Sequence, residues 1–365
     1  TVGSDGASAI VTQNGGSNTA DVDQSKDATA LIVQTGDGNT SSVNQSGANA
    51  DVTNRQTGDD NTSSITQSAA AVATVTQTGS RNRSVVGQSA SGATATVDQL
   101  SSDNLSTVSQ FADATATVTQ NGNNTLCTFD GRRNNVAEVT QNAGSGDADT
   151  TIDQNGQLNK STIMQSADAT AKSIQTGIYN TSTVTQETGS TGSEALVTQG
   201  GGYGDNLSTV TQSAAGTKAT VLQTGFPSVG PSLTNISTIN QSGAGSEAAV
   251  TQNGSLNESS VKQVAADGYA IVNQDGTNLT STVIQVDDSG GDAFVTQRGS
   301  DNSSTVYQTS GNSVAIIDQS GSSNSSELSQ GRTAGSSLQS NSQEALITQS
   351  GTNNESIAAQ RGTRS

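Results

Sequence analysis

The sequence has few of the residues with which globular proteins build their interiors. Only 29% of the 365 residues are hydrophobic, 2% are aromatic and tryptophan is absent. A chain of this length would otherwise fit two or three globular domains, and the shortage excludes conventional cores for them. Low hydrophobicity together with a net charge of −18 is also typical of disordered chains, unless the polar residues recur at a fixed period.

Residues that carry chemistry are also scarce. Histidine is absent and Cys127 is the single cysteine, which excludes the commonest general base, an intramolecular disulfide and a thiolate metal cluster. A polysaccharide-acting solenoid enzyme would need clustered carboxylates or aromatic residues, and four tyrosines and four phenylalanines over the whole chain give it little support. We therefore expect no catalytic, cofactor-binding or metal-binding residues and no enzymatic activity.

Charge and hydrophobic pattern restrict the partners as well. The acidic excess argues against a nucleic-acid partner, which would require clustered lysine and arginine. No apolar run reaches the roughly 18 residues of a membrane helix, so we expect that the chain does not span a membrane. The chain starts at Thr1 without a signal-peptide pattern, from which we expect a processed, mature form.

Glutamine, in contrast, recurs along the whole chain at a nearly constant spacing. The first members of the series follow one another at steps of ten or eleven residues: Gln13, Gln24, Gln34, Gln45, Gln56, Gln67, Gln77, Gln88, Gln99, Gln110 and Gln120. The series resumes at Gln141 and continues to Gln360. A regular series of this length indicates a repeat protein and not a disordered chain.

Two kinds of half-repeat alternate between the glutamines. The first places Asn61, Ser63, Ile65 and Gln67 two residues apart, and the second replaces asparagine and serine with alanine, as in Ala71, Ala73, Val75 and Gln77. Residues two apart point to one face of a strand. Glycine, serine, aspartate and asparagine fill the segments between the quartets, as is typical of tight turns. Each half-repeat is therefore predicted to be one strand and one turn.

The pattern predicts an all-β fold, a cross-β solenoid in which two parallel sheets are built from stacked strand-arc-strand rungs. About 31 strand-like segments give roughly fifteen and a half rungs in a single domain spanning residues 1–365. Like side chains then stack at about 4.8 Å, and side-chain amides can bond between rungs. Five turns are expected to be enlarged: 142–148, 187–193, 200–205, 226–233 and 331–342. The turn 226–233 contains both prolines of the chain.

Stacking assigns structural roles to particular residues. The predicted core ladder comprises Asn18, Gln24, Gln34, Asn39, Gln45, Asn61, Gln67, Gln77, Asn82, Gln88, Asn104, Gln110, Asn180 and Gln186. The predicted end strands carry Ala7, Ala9, Val11 and Gln13 at one end and Asn354, Ser356, Ala358 and Gln360 at the other. We expect neither end to be capped, which favours head-to-tail self-association into a filament.

The register is ambiguous between residues 121 and 154. Keeping the glutamine spacing places Cys127, Phe129 and Gly131 on an inward face and makes the next half-repeat, ending at Gln141, a second asparagine-type half in succession. A shift by one residue would instead expose Cys127. The sequence supports both interpretations.

The residues from Gln13 to Gln24 match Q-x-G-x2-N-x-A-x3-Q, the second part of the curlin repeat S-x5-Q-x-G-x2-N-x-A-x3-Q. The chain thus resembles the curlin-repeat family, and within it large homologues of the major subunit of curli with about fifteen repeats. The resemblance implies a secreted functional amyloid, found in cell-surface-attached extracellular fibres of the biofilm matrix of a Gram-negative bacterium. It also implies a minor-curlin-type nucleator and an outer-membrane secretion pore as partners.

A monomeric β-solenoid, acting as an adhesin or an ice-binding module, is the alternative. Outward pairs such as Thr74 with Thr76 and Thr117 with Thr119 hint at a flat threonine array. Other outward positions carry lysine, arginine, aspartate, asparagine or tyrosine, which makes such an array irregular. This alternative requires the chain termini to cover the end strands.

Overall fold

The computed structural model describes residues 6–122, 134–201, 205–225, 235–286, 290–309, 311–332 and 343–362. Over these ranges the chain forms thirty β-strands and no helix. The chain divides into two compact units, Thr1–Tyr179 and Asn180–Ser365. Among the described residues, no helix has the length and hydrophobicity needed to cross a bilayer.

The first unit contains fifteen strands in two parallel sheets. The odd-numbered strands form one sheet and the even-numbered strands form the other. The strands are β1 Ser8–Asn14, β2 Thr19–Gln24, β3 Thr29–Thr35, β4 Thr40–Gln45, β5 Asp51–Thr57, β6 Thr62–Gln67, β7 Val72–Thr78, β8 Arg83–Gln88, β9 Thr94–Gln99, β10 Leu105–Gln110, β11 Thr115–Asn121, β12 Val136–Gln141, β13 Asp149–Gln157, β14 Lys160–Gln165 and β15 Thr170–Ile178.

The second unit also contains fifteen strands, again divided between an odd-numbered and an even-numbered parallel sheet. They are β16 Thr181–Gln186, β17 Glu194–Gly200, β18 Leu207–Gln212, β19 Lys218–Gly225, β20 Ile236–Gln241, β21 Glu247–Ser255, β22 Glu258–Gln263, β23 Tyr269–Thr277, β24 Thr280–Gln285, β25 Asp292–Ser300, β26 Ser303–Gln308, β27 Val314–Ser322, β28 Ser325–Arg332, β29 Glu344–Thr352 and β30 Glu355–Gly362.

Strand pairing places like residues on like residues. Between β5 and β7, for example, Val52 pairs with Ala73 and Gln56 pairs with Gln77. In β6 the alternate residues are buried and the residues between them face outward, as a strand with a period of two requires. The predicted all-β solenoid of two parallel sheets is therefore confirmed in both units. The described residues form thirty strands, beside the roughly 31 strand-like segments predicted. The single-domain assignment stays a prediction.

The ambiguous segment is partly resolved by its neighbours. β10 pairs directly with β12, and β11 pairs directly with β13. The half-repeat ending at Gln141 thus lies in the even-numbered sheet and continues the alternation of the two sheets. The predicted positions of Cys127, Phe129 and Gly131 lie outside the described residues.

The turns require glycine where successive rungs come close. Gly58 has φ of 106°, a backbone conformation that side chains other than glycine rarely adopt. A Cβ atom built on Gly58 would collide with the carbonyl oxygen of Gly79 in the next rung. The Q-x-G spacing of the repeat therefore reflects the close stacking of the turns.

Two of the predicted enlarged turns lie wholly within the described residues, and they share one geometry. In 142–148, the Ser145 amide donates to the Asn142 carbonyl at 3.1 Å and the Ala148 amide donates to the Ser145 carbonyl at 3.1 Å. In 187–193 the corresponding bonds join Ser190 to Glu187 and Ser193 to Ser190. The turn 226–233, residues 202–204 of the turn 200–205 and residues 333–342 of the turn 331–342 fall outside the described residues.

Candidate assembly site

Within each unit, the inward glutamines of successive strands stack along each of the two sheets, and these stacks are together called the glutamine column. Gln77 shows the bonding: its Oε1 accepts from Gln56 Nε2 at 2.8 Å, and its Nε2 donates to Gln99 Oε1 at 2.8 Å. The same Nε2 donates to the carbonyl of Thr62 in the other sheet at 3.0 Å. The amide therefore joins three rungs and both sheets.

The glutamine column has a direction. Wherever two of its members bond within a unit, the Nε2 of the earlier residue donates to the Oε1 of the later one, as for Gln24 to Gln45 and Gln186 to Gln212. All eight glutamines of the predicted core ladder are buried: Gln24, Gln34, Gln45, Gln67, Gln77, Gln88, Gln110 and Gln186. A consistent direction leaves acceptors at the N-terminal end and donors at the C-terminal end.

The asparagine column is formed by the inward residue directly before each even-numbered strand, counted here as the first inward residue of its half-repeat. It runs in the opposite direction. Asn39 Oδ1 accepts from the backbone nitrogen of Asn61 at 3.1 Å and from Asn61 Nδ2 at 3.0 Å, so the later residue donates. The structure buries five of the predicted asparagines and leaves the sixth, Asn18, half-buried in the first rung; the five are Asn39, Asn61, Asn82, Asn104 and Asn180. At the N-terminal end the glutamine column therefore offers acceptors and the asparagine column offers donors, and at the C-terminal end the roles are reversed.

Some core residues depart from the repeat and were missed from the sequence. Asn54 occupies a position that most strands fill with valine or isoleucine, and its Nδ2 donates to Ser41 Oγ at 2.7 Å. Leu279 stands in the asparagine column, where its backbone nitrogen still donates to Asn257 Oδ1 at 3.1 Å. Both positions could have been identified from the sequence, because each residue lies a fixed number of residues before the glutamine of its half-repeat.

The serine column, formed by the second inward residue of the same half-repeats, differs from both amide columns. Its hydroxyls are buried, yet most of them have no hydrogen-bond partner in the described part of the chain: Ser63, Ser84, Ser106, Ser161, Ser182, Ser208, Ser237, Ser259, Ser281, Ser304 and Ser326. The bonding between rungs that was predicted for side-chain amides does not extend to these serine hydroxyls.

At the N-terminal end the inward residues lie open. Ala7 and Ala9 are half-buried and Gln13 is exposed, whereas Val11 is 45% exposed and the equivalent Ile32 of the next rung is fully buried. The Oε1 atom of Gln24 is buried and accepts no hydrogen bond from the described residues. This end therefore presents both apolar surface and an unused acceptor.

The C-terminal end is open in the same way. Asn354, Ser356, Ala358 and Gln360 are all half-buried. Among the described residues no later strand follows β29 in its sheet, and Gln349 Nε2 donates to Ser356 Oγ at 2.9 Å. Inward positions that are sealed in the interior are thus accessible at both ends.

Charged groups are confined to turns and outer faces in the described residues. Arg81 and Asp103 form an ion pair of 2.7 Å between two successive turns. The hydrogen bonds that Arg81 donates to Asp103, together with the negative charge of Asp103, raise the pKa of Arg81 above its ordinary value. Partial burial raises the pKa of Asp205. No group of three or more acidic or cysteine side chains in the described ranges could hold a metal ion.

Comparison with known proteins identifies one stretch of the repeat. The family model described as the curlin associated repeat matches residues 73–100. This stretch runs from β7 through β9 and contains the inward quartet Asn82, Ser84, Val86 and Gln88. No curated protein matches the chain.

Proposed function

We propose that this curlin-like protein of many repeats is the structural subunit of an extracellular amyloid fibre, which grows by head-to-tail addition of identical chains and forms biofilm matrix. The complementary polarity of the two open ends carries the proposal. A head-to-tail contact is heterologous and does not close, so repeated addition produces a filament.

The glutamine columns of two copies can join without rearrangement. Gln24 Oε1 is a buried acceptor of the first rung that receives no hydrogen bond from the described part of the chain. Gln360 lies in β30, the last described strand, and its Nε2 donates to the carbonyl of Glu344 at 2.7 Å. An amide nitrogen has a second hydrogen, which can bond Gln24 of the following copy as interior members of the column do. The contact would satisfy a buried acceptor that is costly to leave unpaired.

The asparagine column joins in the reverse sense. Asn354 donates to Asn324 Oδ1 from its backbone nitrogen at 3.1 Å and from its Nδ2 at 2.9 Å. Its own Oδ1 is in the position that accepts two such bonds in the interior. Asn18 of the following copy would supply them from the same two nitrogens. Head-to-tail stacking therefore pairs donors with acceptors in both columns, whereas head-to-head stacking pairs like with like.

Open strand edges add backbone bonds and apolar burial. β1 and β2 have one paired neighbour each in the described chain, β3 and β4. An unpaired parallel edge is a template for another strand. Val11 would become as buried as its interior equivalents when a second copy covers it, at roughly 25 cal/mol per Å² of apolar surface.

The resemblance to curli supports the remaining parts of the proposal. They are secretion through an outer-membrane pore, nucleation by a minor-curlin-type protein, and attachment of the fibres to the cell surface. A structural role also agrees with the curlin repeat and the solenoid fold, which point away from catalysis.

Electron microscopy over a dilution series, combined with fibre diffraction, tests assembly. We expect unbranched filaments with a meridional spacing near 4.8 Å. Val11→Asp places a carboxylate on the inward end face and should abolish filaments, whereas the outward neighbour Thr12→Asp should leave them. Folded monomers of the unmodified chain at every concentration would contradict the proposal and favour a monomeric adhesin or ice-binding module.

A further inference from the structure

Two head-to-tail stackings satisfy most of the inward positions. In the first, the last odd-numbered strand, β29, stacks on β1 of the next copy, and in the second it stacks on β2. The glutamines and apolar residues match either way, because Ile347 would cover Val11 in the first and Val22 in the second. Only features that differ between odd-numbered and even-numbered strands can select one stacking.

The asparagine column is such a feature, since the odd-numbered strands of the first unit lack it. The first inward residues of their half-repeats are alanines: Ala7, Ala28, Ala50, Ala71, Ala93, Ala114, Ala148 and Ala169. Stacking β30 on β2 places Asn354 against Asn18 and continues the column. Stacking β30 on β1 places Asn354 against Ala7, which has no side-chain amide and cannot provide the Nδ2 bond.

An apolar column on the outer face of the odd-numbered strands is a second feature. In the second unit it consists of Ile271, Phe294, Ile316 and Leu346 in successive strands. In the first unit Ile10 pairs with Leu31 at the same position. The outermost members, Leu346 and Ile10, are 63% and 58% exposed, whereas the others are half-buried by their neighbours.

Stacking β29 on β1 brings those two exposed ends together. Leu346 then covers Ile10, and the two apolar columns become one of six residues across the junction. In the alternative, Ile10 would meet Ile357, whose neighbour in the preceding rung is Glu327, so the column would be interrupted. Asp21 does not separate the stackings, because it faces Ile357 in the first and Leu346 in the second.

We infer that copies of this chain join with odd-numbered strands stacked on odd-numbered strands. Two contacts select this stacking: Asn354 with Asn18 on the inward face, and Leu346 with Ile10 on the outer face. The inference rests on the proposed head-to-tail assembly and specifies its partner surface, a second copy in one of two phases. Each sheet then continues from copy to copy along the filament.

Pyrene labels on cysteines test the phase without altering the selecting residues. Cys127→Ser removes the native thiol, and Thr348→Cys labels the outer face of β29. In the inferred stacking Thr348 lies beside Thr12, about 5 Å away. In the alternative it lies beside Asp23. All three side chains are exposed. Chains labelled at 348 are mixed with chains labelled at Thr12→Cys or at Asp23→Cys, together with unlabelled chains.

We expect excimer emission to rise severalfold in filaments that mix chains labelled at position 348 with chains labelled at position 12. It should stay at the monomer level in filaments that mix chains labelled at position 348 with chains labelled at position 23. Labelled Lys172→Cys, an outward residue far along the chain from either end strand, measures side-by-side contacts between filaments and should give no excimer with 348. Equal signals for 12 and 23, or a stronger signal for 23, overturn the inference while filaments remain. Absence of filaments by microscopy overturns head-to-tail assembly itself.

Two variants test the selecting residues. With the label at position 348, excimer emission with position 12 is expected to exceed that with position 23. Asn354→Ala and Leu346→Ser should each reduce this difference in emission by at least half. Leu346→Ser should also raise the critical concentration roughly fivefold, because apolar contact across the junction is lost. The matched controls Asn253→Ala and Leu222→Ser change exposed side chains within the second unit and should alter neither quantity. Unchanged selectivity in both Asn354→Ala and Leu346→Ser would contradict their role.

Discussion

The glutamine and serine columns are equally buried and yet differ in hydrogen bonding. Gln77 accepts one side-chain bond and donates two further bonds. Ser84, one strand later, has a buried hydroxyl that bonds none of the described residues. An amide carries donor and acceptor on opposite sides and can span the strand spacing of about 4.8 Å. Two hydroxyl oxygens one spacing apart lie beyond the hydrogen-bond limit of about 3 Å. Stacking identical polar residues therefore satisfies amides and not hydroxyls.

The difference identifies which polar residues stabilise the solenoid. A satisfied buried network favours one arrangement, and removing a member leaves its partners unpaired. An unpartnered hydroxyl contributes the cost of its desolvation and gains little in return. We therefore expect the amide columns to stabilise the fold and most of the serine column to be dispensable.

Replacing an interior glutamine by glutamate should have the largest effect. Gln77→Glu loses the donor that bonds Gln99 and Thr62 and buries a carboxylate, at a cost of about 3–5 kcal/mol in the free energy of unfolding. Urea denaturation at neutral pH, at concentrations without filaments, measures it. Lowering the pH protonates the carboxylate and should recover part of the loss, because burial favours the neutral form.

Gln13→Glu is the matched control, since Gln13 is exposed in the first strand. Its glutamate would remain solvated, although Gln34 Oε1 loses the bond from Gln13 Nε2, and we expect a loss of about 1–2 kcal/mol, smaller than that of Gln77→Glu. Similar losses for Gln13→Glu and Gln77→Glu would show that the glutamine column does not derive its importance from burial and bonding.

An interior asparagine should matter less than a buried charge but more than a serine. Asn82 Oδ1 accepts from the backbone nitrogen of Asn104 at 3.0 Å and from its Nδ2 at 3.1 Å. Asn82→Ala removes that acceptor and should cost about 1–3 kcal/mol in unfolding free energy. Hydrogen exchange should show the loss at the Asn104 amide in particular. Unchanged protection there would contradict an acceptor role.

The sequence predicts the strands and the amide columns because both follow from spacing. Gln56 and Gln77 can be aligned by counting, and a period of two places their neighbours on the inward or outward face. The direction of each column could not be predicted, because it depends on how the Gln77 amide is turned toward Thr62 in the other sheet. The unpartnered hydroxyls were missed for a similar reason: burial of Ser84 follows from spacing, whereas its distance from a partner does not.

The smallest expected changes in unfolding free energy come from two serines of the serine column, one with a bonded hydroxyl and one with an unbonded hydroxyl. Ser84→Ala removes an unpartnered hydroxyl and should leave the free energy of unfolding unchanged or raise it by up to about 1 kcal/mol. Ser41 differs, because its Oγ accepts from Asn54 Nδ2 at 2.7 Å. Ser41→Ala should therefore lower the free energy of unfolding by about 1–2 kcal/mol, since the buried Asn54 amide loses its acceptor.

Adding Asn54→Val to Ser41→Ala isolates the bond. The double variant replaces both partners by apolar groups and restores the valine that the repeat places at this position, so the loss should be largely recovered. A stability loss in Ser84→Ala equal to that in Ser41→Ala would mean that all hydroxyls of the serine column are hydrogen-bonded, most of them to ordered water. The serine and glutamine columns would then differ only in what their side chains bond, water or protein.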